Sequence, residues 1–333
     1  MKLKHWVVLL GAFASAASAW AAPIVIKFSH VVATDTPKGK AAEYFKKIAE
    51  ERTHGQVQVQ VYPNSQLYKD KEELDALQMG AVQVLAPTFS KFGPLGVKEF
   101  EALDLPYLFD DMDMARKVTQ GPVGQSLLAK LDAKGIEGLA FWDNAFKQMT
   151  ANKPLKKPDD FRGMKIRIQS SKVMDAQMRA LGANPQVMAF SEVYQALQTG
   201  VVDGQDNPYS NIYTQKFFEV QKYLSVTDHG YHAYVLIANK KFWDGLPPNL
   251  RSVMDGVVKD TTAYFNQIAA QEEADSLARI KASGRTQIVV LTKDEKLALK
   301  KAMLPVYKQV EPRVGKDVLE SIYKATGSHP DKL

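Results

Sequence analysis

Two polar groups forty residues apart have the chemistry to hold an anion. Arg167 lies in the alternating stretch Met164-Lys165-Ile166-Arg167-Ile168-Gln169, and Asn207 lies in the turn-like string Asp203-Gly204-Gln205-Asp206-Asn207-Pro208. A guanidinium presents a planar fork of donors that matches a carboxylate, and a carboxamide adds a neutral N–H donor. Pattern alone also allows plainer readings, because arginines are mostly exposed or salt-bridged and Asn-Pro is a turn signal. His229 and His232 are three residues apart at a strand entry, without the third protein ligand that a catalytic zinc site uses, so no metal is expected. A nucleophile elbow, a His-Glu-x-x-His pair, a phosphate loop and a dinucleotide fingerprint are all absent from the sequence. With no cysteine in the chain, thiol catalysis, iron–sulfur clusters and thiolate zinc are excluded. The positive signals are for binding, and no cofactor is expected.

The elements that must position these groups alternate between strand and helix patterns. Ile24–Ser29 is a short β run, Thr36–Arg52 has helical spacing, and Val57, Val59 and Val61 alternate with glutamines. Lys69–Met79 is again helical and Ala81–Ala86 again a strand. This order predicts an α/β domain with a mainly parallel sheet. His30, Lys38, Thr88 and Ser90 would then lie beyond the carboxyl ends of its strands, where such sheets bind ligands. A second run of the same kind starts near Met149. Glu137–Asn144 and Tyr231–Ala238 read as strands at the two crossings between the halves. Pro247-Pro248 opens a helical pattern over Asn249–Ala282 that Gly284 ends. Roughly 34 helical residues span about 50 Å, more than one small domain needs, so this helix is expected to run along both lobes.

The N-terminus has the form of a secretory signal peptide. Lys2, Lys4 and His5 form a basic start, Trp6–Ala17 is apolar, and Ala19-Trp20-Ala21 is a small-x-small cleavage site. The apolar run is too short to span a bilayer, which takes about 20 residues. The expected product is exported, cleaved near Ala21 and periplasmic. Its net charge falls from +6 to +4, since residues 1–21 contain Lys2 and Lys4 and no acid. Cations are spread along the chain with no basic block, so nucleic acid is a poor partner. About 310 residues can bury a sizeable core without disulfides.

Residues 163–213, with the string DGQDNPYSNIY, resemble the periplasmic substrate-binding proteins of tripartite ATP-independent (TRAP) transporters, in their four-carbon dicarboxylate branch; the likeness can be followed from Ile24 to about Tyr323. The resemblance implies a two-lobed periplasmic binding protein fold, each lobe a mainly parallel sheet flanked by helices, with one long helix spanning both. The expected division is 22–144 plus about 233–272 for the first lobe, and 145–232 plus about 273–333 for the second. The resemblance also implies hinge closure on the ligand, and delivery of that ligand to TRAP permease membrane subunits driven by an ion gradient. The protein is expected to act as a monomer.

Site roles follow from the same resemblance. Arg167 makes a two-pronged salt bridge to a ligand carboxylate, Asn207 donates its amide to it, and Phe190 stacks over the pair. The strings TPKGKAAEYF, APTFSKFG and FWDNAFKQMT add Lys38, Thr88 with Ser90, and Lys147. Tyr209 contributes packing or a hydroxyl contact, and His232 near the crossing reaches the ligand. Three cations (Lys38, Lys147 and Arg167) converging on one closed cleft would be costly without counter-charge, which favours a diacid such as succinate, fumarate or malate. Other expectations open at this point are a different organic acid, a ligand sensor of the same fold and, least favoured, a secreted hydrolase.

Overall fold

The computed structural model describes residues 22–331, so the signal peptide and its cleavage site lie outside the described residues. Eleven strands are present among these residues: β1 (Ile24–Ser29), β2 (Val57–Tyr62), β3 (Val84–Leu85), β4 (Ile136–Phe146), β5 (Gln148–Ala151), β6 (Lys165–Ile168), β7 (Asn184–Val187), β8 (Gly204–Asn207), β9 (Tyr223–Val226), β10 (Tyr231–Asn239) and β11 (Gln287–Val290). They form two sheets, ordered β2-β1-β3-β10-β4 in the first lobe and β11-β9-β5-β8-β6-β7 in the second. Both sheets are mixed. Helical crossovers make β1 parallel to β2 and β3, and β6 parallel to β7 and β8. The antiparallel pairs involve β10 in the first lobe and β5 in the second, strands that enter from the other lobe.

Local sequence accounts for the first unit. Val57 and Val59 are buried while Gln58 and Gln60 are exposed, as alternation requires. The first helix, Pro37–Arg52, starts where Thr36 accepts the Gly39 N–H at 2.9 Å and Pro37 occupies the first turn. The following helix is shorter than its pattern, Glu73–Gln78, and β3 keeps only two of the six residues expected.

Three segments join the lobes. β4 runs into β5 with only Lys147 between them, and β9 passes to β10 through residues 227–230. The third is the long helix, Pro248–Ser283, of 36 residues, bounded by Pro248 in its first turn and by Gly284 in the left-handed region at φ 64°. It packs on the first helix and β4 of one lobe and on the helix Tyr209–Thr214 of the other.

Two expectations change. Residues 204–207 form β8, a fully buried strand between β5 and β6, rather than a turn. Its polar composition hides the strand from any hydrophobic pattern, and glycine is needed because a β-carbon at Gly204 would lie 2.5 Å from the Thr150 carbonyl. The last two helices, Pro305–Val314 and Lys316–Thr326, were expected with the second lobe. Instead Val306, Val310, Leu319 and Ile322 join the first-lobe core around Leu103 and Leu127. Tyr307 also donates to the Pro106 carbonyl at 2.7 Å, and Arg313 grips Glu101 with two bonds at 2.8 and 2.7 Å. Helical periodicity marks an apolar face but not the sheet it will meet.

Candidate functional site

Arg167 sits on β6 between Ile166 and Ile168, and is itself only 1 % exposed. Its side chain is covered by the segment that follows β7, where Met188 and Phe190 lie, against the surface placement that alternation alone allows. Its Nε and Nη2 donate to the Met188 carbonyl at 3.1 and 2.8 Å, while Nη1 has no protein partner. The guanidinium lies 5.8 Å from the centre of the Phe190 ring. Burial pushes its pKa down, against the pull of Asp70 and Asp206, yet an arginine remains charged.

Asn207 ends β8. Its Nδ2 donates to Gln205 Oε1 at 2.6 Å and its Oδ1 accepts from Asn211 Nδ2 at 3.0 Å, which leaves one amide hydrogen uncommitted. From the first lobe comes Lys38, in the opening turn of the first helix and 1 % exposed. Its Nζ donates to the Ala86 carbonyl at 3.0 Å and rests 4.0 Å over the Tyr234 ring. Burial pushes this ammonium down to about 7; Glu73 and Asp70 oppose the shift and Lys91 adds to it. Thr88 reaches across the interface and donates to Gln169 Oε1 at 2.6 Å. His232 is buried with Nδ1 unpartnered, and burial together with Lys147 and Lys38 keeps the ring neutral. His30, pushed down to about 3 mainly by burial, is neutral too.

These groups meet. Lys38, Thr88, Arg167, Phe190, Asn207 and His232 all line one interlobe cavity of about 300 Å³. It shares Asp70, Lys91, Arg167 and Gln169 with a wider outer space of about 830 Å³.

Three expected site residues do not line either space. Lys147 is ion-paired to the buried Asp206 at 3.2 Å and has its Nζ 3.4 Å from the Met174 sulfur. Burial opposes ionisation of Asp206, but Lys147 and His229 hold its carboxyl below the usual range. Ser90 donates to Asp104 Oδ1 at 2.8 Å, turned into the first lobe. Tyr209 gives its backbone N–H to Glu273 at 2.8 Å. Each stands in the expected segment, but local sequence does not say which way a side chain turns at a strand end.

Several lining residues were missed. Lys91 contacts Asp70 at 2.5 Å and also pairs with Glu73. Asp70 in turn accepts the Phe190 N–H of the other lobe at 2.5 Å. Burial resists its ionisation, but Lys91 and Arg167 outweigh that. Gln169, Asn211 and Tyr234 also line the cavity. Spacing could have flagged the last two: Asn211 is one helical turn past Asn207, and Tyr234 is two residues past His232 on the same strand. Among the described residues no cluster of three or more His, Asp or Glu is set to hold a metal.

Comparison with known proteins agrees with this architecture. The family model for the bacterial extracellular solute-binding proteins of family 7 matches residues 28–313. The C4-dicarboxylate-binding periplasmic protein DctP of Rhodobacter capsulatus is 58 % identical over 308 residues, which cover 92 % of each chain. A TRAP periplasmic solute-binding protein of Shewanella oneidensis, solved with bound succinate, superposes with a TM-score of 0.90 at 43 % identity, covering 92 % of this chain and 100 % of that one. One from Pseudomonas aeruginosa PAO1 with bound L-malate gives 0.84 at 41 %, covering 86 % and 100 %. The chain belongs to the TRAP periplasmic solute-binding proteins, a family of non-enzymatic transport components.

Proposed function

We propose that this protein captures a four-carbon dicarboxylate of the succinate, malate or fumarate class between its lobes. One observation carries the reading. Two buried basic groups from different lobes, the Lys38 amine and the Arg167 guanidinium, face one cavity of about 300 Å³, and each bonds only to a backbone carbonyl rather than a protein carboxylate. An uncompensated buried ion costs several kcal/mol, and a ligand with two carboxylates offsets both. Lys147 leaves this account because Asp206 already neutralises it.

In the proposed arrangement Arg167 Nη1 and the free Asn207 amide hydrogen take one carboxylate, with Phe190 over the guanidinium. Lys38 and Thr88 take the other, and neutral His232 meets a hydroxyl where the acid carries one. Relatives solved with succinate and L-malate support the same ligand class. A second reading, a bulkier sugar acid, draws on the outer 830 Å³ space and on a 32 % identical relative in complex with galactonate.

Capture works by hinge closure about the two strand crossings and the long helix. The closed lobes meet through Thr88–Gln169, Asp70–Phe190 and the Lys69–Glu192 ion pair at 2.9 Å. The closed monomer then delivers its ligand to TRAP permease subunits driven by an ion gradient. Calorimetric titration of unfolded and refolded, ligand-free protein with succinate, malate, fumarate, pyruvate, α-ketoglutarate and galactonate tests the reading. Tight binding confined to four-carbon diacids is expected. Tight binding of pyruvate or galactonate alone would overturn the two-cation argument.

A further inference from the structure

The helix Tyr209–Thr214 carries Asn211 and follows directly on Asn207-Pro208, yet it has no side-chain cap of its own, because Pro208 occupies the cap position. Its first two N–H groups are taken by a residue far away in sequence. Glu273, in the long helix, accepts the Tyr209 N–H on Oε2 at 2.8 Å and the Ser210 N–H on Oε1 at 2.9 Å. One turn on, Asn211 Nδ2 donates to Asn207 Oδ1 at 3.0 Å and to the Tyr234 hydroxyl at 3.3 Å. That contact determines which way round the Asn207 amide stands. With its oxygen on Asn211 and one hydrogen on Gln205, Asn207 has its other hydrogen left for the cavity.

We propose that Glu273 is a positioning residue for the second-lobe half of the ligand site, seating the helix whose Asn211 orients the Asn207 amide. This rests on the proposed reading that Asn207 touches the ligand. Glu273 is 9 % exposed and makes no ion pair among the described residues, so its carboxylate is buried at a cost that only these N–H bonds offset. Burial accordingly pushes its pKa up to about 7, with the Ser210 and Tyr209 bonds opposing. The preceding residue adds a second tie. Glu272 pairs with Lys40 on the first helix, which also bears Lys38. Two consecutive carboxylates on one rigid helix thus hold the Lys38-bearing helix of one lobe and the Asn207-bearing segment of the other.

The test combines affinity with a readout that needs no ligand. Glu273→Gln keeps one acceptor oxygen but sets an NH₂ group against a backbone N–H. It is expected to weaken succinate binding about 10-fold, with Glu273→Ala weaker still. In an Asn207→Ala background the Glu273→Ala change should cost less than about 2-fold more, because both remove one and the same contact. The side-chain amide NMR signals of Asn207 and Asn211 should shift in ligand-free Glu273→Gln protein. Unchanged amide signals, or a full additional loss in the Asn207→Ala background, would overturn the proposal. Should Glu273→Ala fail to fold, Glu273→Gln and the amide signals decide it alone. Failure of wild-type protein to bind any diacid would sink the proposed function, while the amide signals would still test Glu273.

Discussion

Arg167 holds a full charge in a place where a protein rarely leaves one. Because its only bonds are to the Met188 carbonyl, Arg167→Ala should not lower the melting temperature of ligand-free protein. It should raise the dissociation constant for succinate at least 100-fold, about 2.8 kcal/mol at about 1.4 per decade. Calorimetry reads both, and an unchanged constant would remove Arg167 from the site. Lys38 gives a pH prediction. Its pKa falls from 10.5 to about 7 on folding, so the unfolded chain binds more protons between those values. The Lys38 contribution to ligand-free stability is therefore full above about 10.5 and is lost as pH falls through about 7. A bound dianion restores the ammonium, so binding at pH 8 should take up close to one proton, with both histidines neutral throughout. Titrations in buffers of different ionisation heat measure this; absence of proton uptake would mean Lys38 is charged before the ligand arrives.

At the scale of elements, the two lobes reuse one device. Ala76-Leu77-Gln78 and Ala196-Leu197-Gln198 each end a helix just before a left-handed glycine, Gly80 at φ 78° and Gly200 at φ 73°. The start of the first helix is less forgiving. A β-carbon at Gly39 would lie 2.4 Å from the Ala33 carbonyl oxygen and 2.5 Å from that of Thr34. Gly39→Ala should therefore cost about 2 kcal/mol in urea unfolding and, by displacing neighbouring Lys38, weaken diacid binding. Wild-type stability in that variant would mean the 33–34 loop yields freely. The order of elements and the bounds of the long helix were legible in the chain, because Pro248 and Gly284 punctuate it locally. β8 was not legible: Gly-Gln-Asp-Asn carries no period, and only pairing with β5 and β6 makes it a strand.

At the scale of the molecule, the cavity is lined from both lobes, by Lys38 and Thr88 of the first and by Arg167 and Asn207 of the second. The exposed Lys69–Glu192 pair contributes at most about 1 kcal/mol to the interlobe contact, beside the Thr88–Gln169, Asp70–Phe190 and Ser171–Asp104 hydrogen bonds. In the proposed hinge closure the ligand's two charges bridge the lobes and shift the balance towards the closed form. X-ray scattering should thus show a smaller radius of gyration on adding succinate to refolded, ligand-free protein. An unchanged radius would rule out hinge closure as the response to ligand.

Short-range information sufficed for the alternating elements, the two crossings and the spanning helix, because propensity, caps and periodicity act within a few residues; the candidacy of Arg167, Asn207 and Lys38 rested on the family resemblance. Tertiary structure alone decided which candidates share a cavity. Thr88 meets Gln169 across 81 residues of chain, and Lys147 is neutralised by an aspartate on a strand of different origin. Whether a buried cation faces a ligand or a carboxylate of its own protein depends on which strand ends converge, and long-range packing sets that convergence.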